Sequence, residues 1–182
     1  MAQIVVVDVQ PMYHGSASGV ASRIAQYLRG RKFKQVIWYF VADTFGIGDD
    51  SRESVQEYLL DAGVHPNRIA HIQFIPKDYG FLRGWMDNGV DEDLIKEALR
   101  VMKRHEVFDS RSLEEAWCSP ELWEVVTTLS DNLFWPSFDV DILLRSRKWL
   151  AAGGGVNECL RELELFGESQ GVAFERHLGL VY

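Results

Sequence analysis

The chain has 182 residues, 47% apolar and 25% charged, with a formal net charge of −8; this is enough for a full hydrophobic core, and the acidic balance argues against a nucleic-acid coat, which needs a basic face. Its two cysteines, Cys118 and Cys159, share no metal-ligand spacing, and no run approaches the ~18 apolar residues of a membrane span. The opening MAQIVVVDVQ lacks the basic start and apolar length of a signal peptide, so the expectation is a cytoplasmic protein with no membrane partner.

QIVVVDVQ is rich in β-branched residues without alternation, the pattern of a central strand covered on both faces in a parallel sheet. Pro11 ends it, and after a Gly/Ser stretch Val20, Ile24, Tyr27 and Leu28 recur at helical spacing up to a stop at Gly30. KQVIWYFVAD predicts a second strand, and GDDSRESVQEYLLDAG a second helix with a capping box from Asp50 to Glu53 and a close at Gly63. NRIAHIQFI is a third strand ended by Pro76. From about residue 91 the pattern turns helical, with Leu94, Ile95, Ala98, Val101 and Met102 on one face, a capping box from Ser112 to Glu115, and Ser119 as N-cap before Pro120. RKWLAAGGG resumes the sheet, NECLRELELFGESQG is a helix and VAFERH a fifth strand. The expected fold is one α/β domain over 1–182, a three-layer Rossmann-like sandwich with a mostly parallel sheet of about five strands and a helical insertion over 91–147.

In such a sheet the loops after the strands meet at one edge, which gathers Asp8, Asp43, Lys77 and the glycines of LAAGGGVNECLREL. Asp8 follows four apolar residues at a strand end, where a carboxylate must be partnered or used. With Asn157 as N-cap, Cys159 falls in the first helical turn, where free amides and the helix dipole favour a nucleophilic thiolate. The bare backbone of Gly153, Gly154 and Gly155 would let a substrate carbonyl approach N–H groups. Against this, Cys159 shares its helical face with Val156, Leu163 and Phe166, which suits a buried core cysteine equally well. Lys77 reaches the same edge, and Tyr79, Phe81 and Trp85 could wall a pocket there. His14 is the one histidine near this edge and is a candidate substrate-binding or acid/base group; Gln10 lies beside it.

VVVDVQ at the end of a first strand, a lysine after the third and GGGVNECL at a strand-to-helix turn resemble the isochorismatase-like cysteine hydrolases, which include nicotinamidases. The resemblance implies Asp8 as the base that takes the thiol proton, Lys77 as its electrostatic partner and Cys159 as nucleophile. It implies hydrolysis of an amide or related C–N or C–O bond in a small-molecule substrate, without a cofactor. The edge residues Gln10, His14, Asp43, Tyr79, the glycines and Asn157 would then line the binding site. The His-bearing metal motif of nicotinamidases has no counterpart in ADTFGIGDD. The segment GGG-x-NECL with a terminal tyrosine is also similar to uncharacterised bacterial and phage proteins, which brings no activity.

Two rival readings use the same edge. Asp8 and Asp43 with Asp49 or Asp50 could hold Mg²⁺ or Mn²⁺ for phosphodiester chemistry, in the manner of proteins that resemble PIN-type nucleases, with Asp139 and Asp141 as further ligands. Those last two also fit the first turn of a short helix capped by Ser137. Alternatively the glycines form a ligand-binding module without chemistry, although Glu158 would repel an anion there. Trp117, Trp123, Trp135 and Trp149 would mark a partner surface, such as a homo-oligomer interface, wherever they are exposed.

Overall fold

A computed structural model describes residues 2–42, 50–78 and 80–182. Its strands are β1 (Ala2–Val7), β2 (Phe33–Val41), β3 (Ile72–Lys77), β4 (Lys148–Gly153) and β5 (Ala173–Val181). They form one five-stranded sheet, all parallel, in the order β3-β2-β1-β4-β5. The central place of β1 explains its unbroken apolar run. Ile4 and Val6 face one core and Val5 and Val7 the other, all four fully buried, and each such side chain contributes about 1.5–3 kcal/mol of transfer free energy.

The first core is covered by α1 (His14–Arg29), α2 (Arg52–Asp61) and the short α3 (Pro66–Ile69). The second lies under α4 (Arg83–Asp87), α5 (Glu92–His105), α6 (Pro120–Thr128), α7 (Asp141–Leu144) and α8 (Cys159–Ser169). Helices on both faces of a parallel sheet make the molecule a Rossmann-like α/β sandwich. Residues 91–147 form most of the crossover from β3 to β4, which also carries α4, and α5 packs on α8.

Several local expectations change. The Gly/Ser stretch after Pro11 belongs to α1, which starts at His14. Ser51, not Asp50, caps α2 by accepting from Ser54 N at 3.1 Å. Ser112 closes a 3₁₀ turn instead of starting a capping box, and α7 begins at Asp141 after Val140, with Ser137 bonded to Asp78 instead. Ser119 does cap α6, its hydroxyl accepting from Leu122 N. The tryptophans are largely withdrawn from solvent: Trp149 is fully buried with its Nε1–H on the Leu143 carbonyl, and Trp117 stacks on His105. The exposed aromatics of this block are Phe108 and Phe134. No helix among the described residues is long and apolar enough to cross a membrane.

Candidate functional site at the carboxyl ends of β1 and β4

The strand order reverses direction between β1 and β4, and a parallel sheet opens a crevice outside the strand ends at such a point. Here the chain is packed too tightly for side chains. Val7 pairs with Gly153 in the ladder, and Gly154 N donates to the Val7 carbonyl at 2.8 Å. A Cβ on Gly153 would lie 2.1 Å from that carbonyl oxygen, and one on Gly154 would lie 2.0 Å from the Tyr182 ring. Gly155, at φ +61°, turns the chain into α8. Two of the three glycines therefore have a reason in contacts within the protein, beside any part in a ligand site. Gly154 and Gly155 still border the cleft above. The N–H groups of Gly155, Asn157 and Cys159 donate to no acceptor among the described residues.

Asp8 follows β1 directly in the left-handed region, φ 56°, a conformation that Asp adopts more readily than most residues. Its N–H is tied to the Tyr39 carbonyl at 2.9 Å, and its carbonyl accepts from the Tyr182 hydroxyl at 2.7 Å. Lys77, at the end of β3, pairs with Val41 in the neighbouring strand and extends across β2 to place Nζ 3.2 Å from Asp8 Oδ2. Both side chains are only 2% exposed, so this is a buried ion pair. The Cys159 thiol adjoins the same carboxylate. Neither Asp8 oxygen accepts a well-directed hydrogen bond among the described residues, although Lys77 and the thiol both lie against it.

The site retains protons. Burial raises the Asp8 carboxyl above its ordinary value, with Lys77 and the thiol opposing. Burial alone would lower Lys77, but Asp8, Cys159 and Glu162 together hold it above its usual range and keep it charged. The thiol is pushed up to about 12, first by burial and then by the Asp8 charge, with Lys77 pulling the other way. The sulfur at rest is thus a thiol, which corrects the expectation that the start of α8 lowers its pKa: the dipole of one helix end is outweighed by desolvation and a neighbouring carboxylate. Asn157 is not the cap either, since Glu158 holds that position without a side-chain bond.

Asp8 and Cys159 line a cleft of ≈ 400 Å³ together with Tyr13, Gly155, Asn157 and Tyr182. Other expected residues lie elsewhere. Gln10 is fully buried and spent on structure, its amide bonded to the Val41 backbone and to Asp50. His14 is exposed and packs edge-on against Tyr58. Gly153 is buried against Val7. Asp43, Asp49 and Tyr79 lie outside the described residues.

For the metal reading, Lys77 Nζ occupies the flank of Asp8 where a cation would sit, and Asp50 accepts from Gln10 Nε2 and Met12 N. Among the described residues no three His, Cys, Asp or Glu side chains converge as a metal site. Asp139 Oδ1 accepts from Asp141 N in a local turn.

Sequence reasoning missed Tyr13, Ser16 and Tyr182 as cleft walls, and Arg83 and Glu162 beside the sulfur. Glu162 carried a signal. It lies one helical turn after Cys159, and a carboxylate so placed is fully buried here, its Oε1 accepting from Arg83 Nε at 3.1 Å.

The proton affinities predict alkaline sensitivity. The thiol ionises near 9.0 when free and at about 12 in the folded protein, so the folded state keeps a proton that the unfolded chain releases. Its contribution to stability is complete below the lower value and is lost as pH rises towards the higher. The raised values of Lys77 and Tyr182 act in the same direction. The melting temperature should fall between about pH 9 and about pH 12, and less steeply in Cys159→Ala; equal slopes would show that the thiol is not among the groups responsible.

Comparison of the chain with protein-family models, with curated proteins and with solved structures gives no match in any of the three.

Proposed function

We propose that the protein is a small-molecule hydrolase that cleaves an amide or related C–N or C–O bond through a covalent intermediate on Cys159, in the manner of the isochorismatase-like hydrolases that its Asp, Lys and Cys resemble. The observation that carries this reading is the buried Asp8–Lys77 pair, 3.2 Å across, set against the Cys159 thiol on the wall of an open cleft.

The high pKa of the thiol requires a base at the moment of attack, and Asp8 is in contact with it. As sulfur bonds to the substrate carbonyl carbon, the thiol proton passes to Asp8 and negative charge moves to the carbonyl oxygen. The unpaired N–H groups of Gly155, Asn157 and Cys159 are the available donors for that oxygen. Collapse of the tetrahedral adduct breaks the C–N bond, and Asp8 returns its proton to the departing amine, leaving a thioester. Water then attacks the thioester as Asp8 removes its proton, the carboxylic acid leaves, and the thiol takes back the proton. Lys77 holds the carboxylate in place throughout and compensates its charge while it is ionised.

The test is a panel of small carboxamides and esters incubated with the protein and quenched for intact-mass analysis. A turned-over compound should leave an acyl mass on the Cys159 peptide, and Cys159→Ala should show neither the mass nor turnover. Hydrolysis that survives Cys159→Ala, or a panel bound without turnover, would overturn the reading; the second outcome favours a binding module. The Mg²⁺ or Mn²⁺ alternative predicts instead that added metal raises the melting temperature and that Asp8→Asn removes the rise.

A further inference from the structure

Arg83 opens α4, a helix pinned by the buried Trp85, whose Nε1–H donates to the Asp131 carbonyl at 2.9 Å. Gly84 lies against Asp131 so closely that a Cβ there would come within 2.6 Å of it. The backbone that carries Arg83 is therefore held firmly against the 131 loop. Each nitrogen of its guanidinium has a different task. Nη2 lies 3.6 Å from the Cys159 sulfur, Nε donates to Glu162 Oε1 at 3.1 Å, and Nη1 lies 3.7 Å from Glu158 Oε1. Glu162 is completely buried, with Arg83 and the Leu82 backbone N–H as the hydrogen-bond donors beside its carboxylate. A carboxylate in that position is costly unless it does something for its neighbours.

We propose that Arg83 is a second cation for the Cys159 sulfur, binding it as negative charge develops there, and that Glu162 is the positioning residue that aims the guanidinium. The role rests on the cysteine reading above. When the thiol proton moves to Asp8, the Asp8–Lys77 pair loses its anion and the sulfur gains a charge. Lys77 then faces the new thiolate from one side and Arg83 from the other. The planar fork of an arginine can hold sulfur and carboxylate at once, which a lysine cannot. Cys159 and Glu162 are three residues apart on α8, one turn, so a single guanidinium spans both. The charged and titratable groups around the sulfur and the guanidinium are Asp8, Lys77, Arg83, Asp87, Glu158, Glu162 and Tyr182.

The experiment is the rate of Cys159 alkylation by iodoacetamide at fixed pH between about 7 and about 9, where the fold is intact and a slower rate reports a higher midpoint, read peptide by peptide with the partly exposed Cys118 as internal reference. Removing one adjacent cation in Arg83→Gln should move the midpoint upward by about one pH unit, a tenfold slower reaction at a fixed pH below it. Arg83→Lys should recover part of the shift. Glu162→Gln separates the two possible roles of the carboxylate. Loss of its negative charge alone would lower the midpoint, whereas loss of its hold on Arg83 raises it, and a rise is expected.

An unmoved midpoint in Arg83→Gln overturns the role of Arg83, and a lowered or unmoved one in Glu162→Gln overturns that of Glu162. Misfolding would expose the thiol and speed the reaction, opposite to the expected sign. Alkylation needs no turnover, so a shifted midpoint without hydrolysis of any carboxamide would sink the hydrolase reading and leave the arginine assignment standing.

Discussion

Lys77→Met should destabilise the protein by about 3–5 kcal/mol, and adding Asp8→Asn should return more than half of that loss. The expectation follows from burial. Both charges are 2% exposed, so removing the lysine leaves a carboxylate in a medium that cannot solvate it. The variant's remedy is to protonate Asp8, whose carboxyl burial already raises. A carboxyl that binds its proton more tightly when folded adds stability as pH falls, so Lys77→Met should gain stability on acidification towards about pH 5. Replacing both members removes the unpaired charge, and the buried Asn costs only its unmet hydrogen bonds. Urea unfolding of the two single variants and the double variant measures the coupling directly. Additive losses would show that the pair does not act as a pair.

Gly153→Ala should cost more than about 4 kcal/mol or prevent folding, a loss outside the range of ordinary substitutions. One methyl group has two faults at this position. Its carbon would sit 2.1 Å from the Val7 carbonyl oxygen and 2.7 Å from Val7 N, both backbone atoms of the central strand that cannot swing aside. The residue also has φ +108°, which L side chains rarely adopt. Gly15→Ala provides the contrast: it lies exposed in α1 with nothing within 4 Å of the new carbon. That change should stabilise by about 0.5–1 kcal/mol. Urea midpoints at unchanged slope decide both cases. A Gly153→Ala protein as stable as the parent would mean that β1 and β4 do not meet as described.

The scaffold was legible because its signals are local. Four consecutive apolar residues ahead of Asp8 can only be covered on both faces, and this alone identifies a central parallel strand. The succession of strand and helix patterns then directs the loops after the strands to one edge. Asp8 could be singled out as a chemically costly residue at that edge and Lys77 as a cation that reaches it, and the structure pairs them. Cap positions were read less well. Asp50 and Ser112 satisfy the spacing of a capping box, yet Asp50 is drawn away by Gln10 and Met12, partners at separations of 40 and 38 residues.

What the sequence by itself determined is the layered α/β architecture, the central place of β1 and the gathering of Asp8, Lys77 and Cys159 at its end, since periodicity and position along the chain carry that information. Tertiary structure decided the rest. The triple glycine reads in isolation as backbone bared for a ligand, and contact with Val7 and Tyr182 supplies a further reason for two of its residues. The helix start reads as a place for a thiolate, but burial beside a carboxylate keeps the proton on sulfur. Arg83 meets Cys159 across 76 residues and Glu162 across 79, a contact made only when α4 and α8 pack on the same face of the sheet. Desolvation and long-range charge depend on what surrounds a group in space, and neighbours in the chain do not report it.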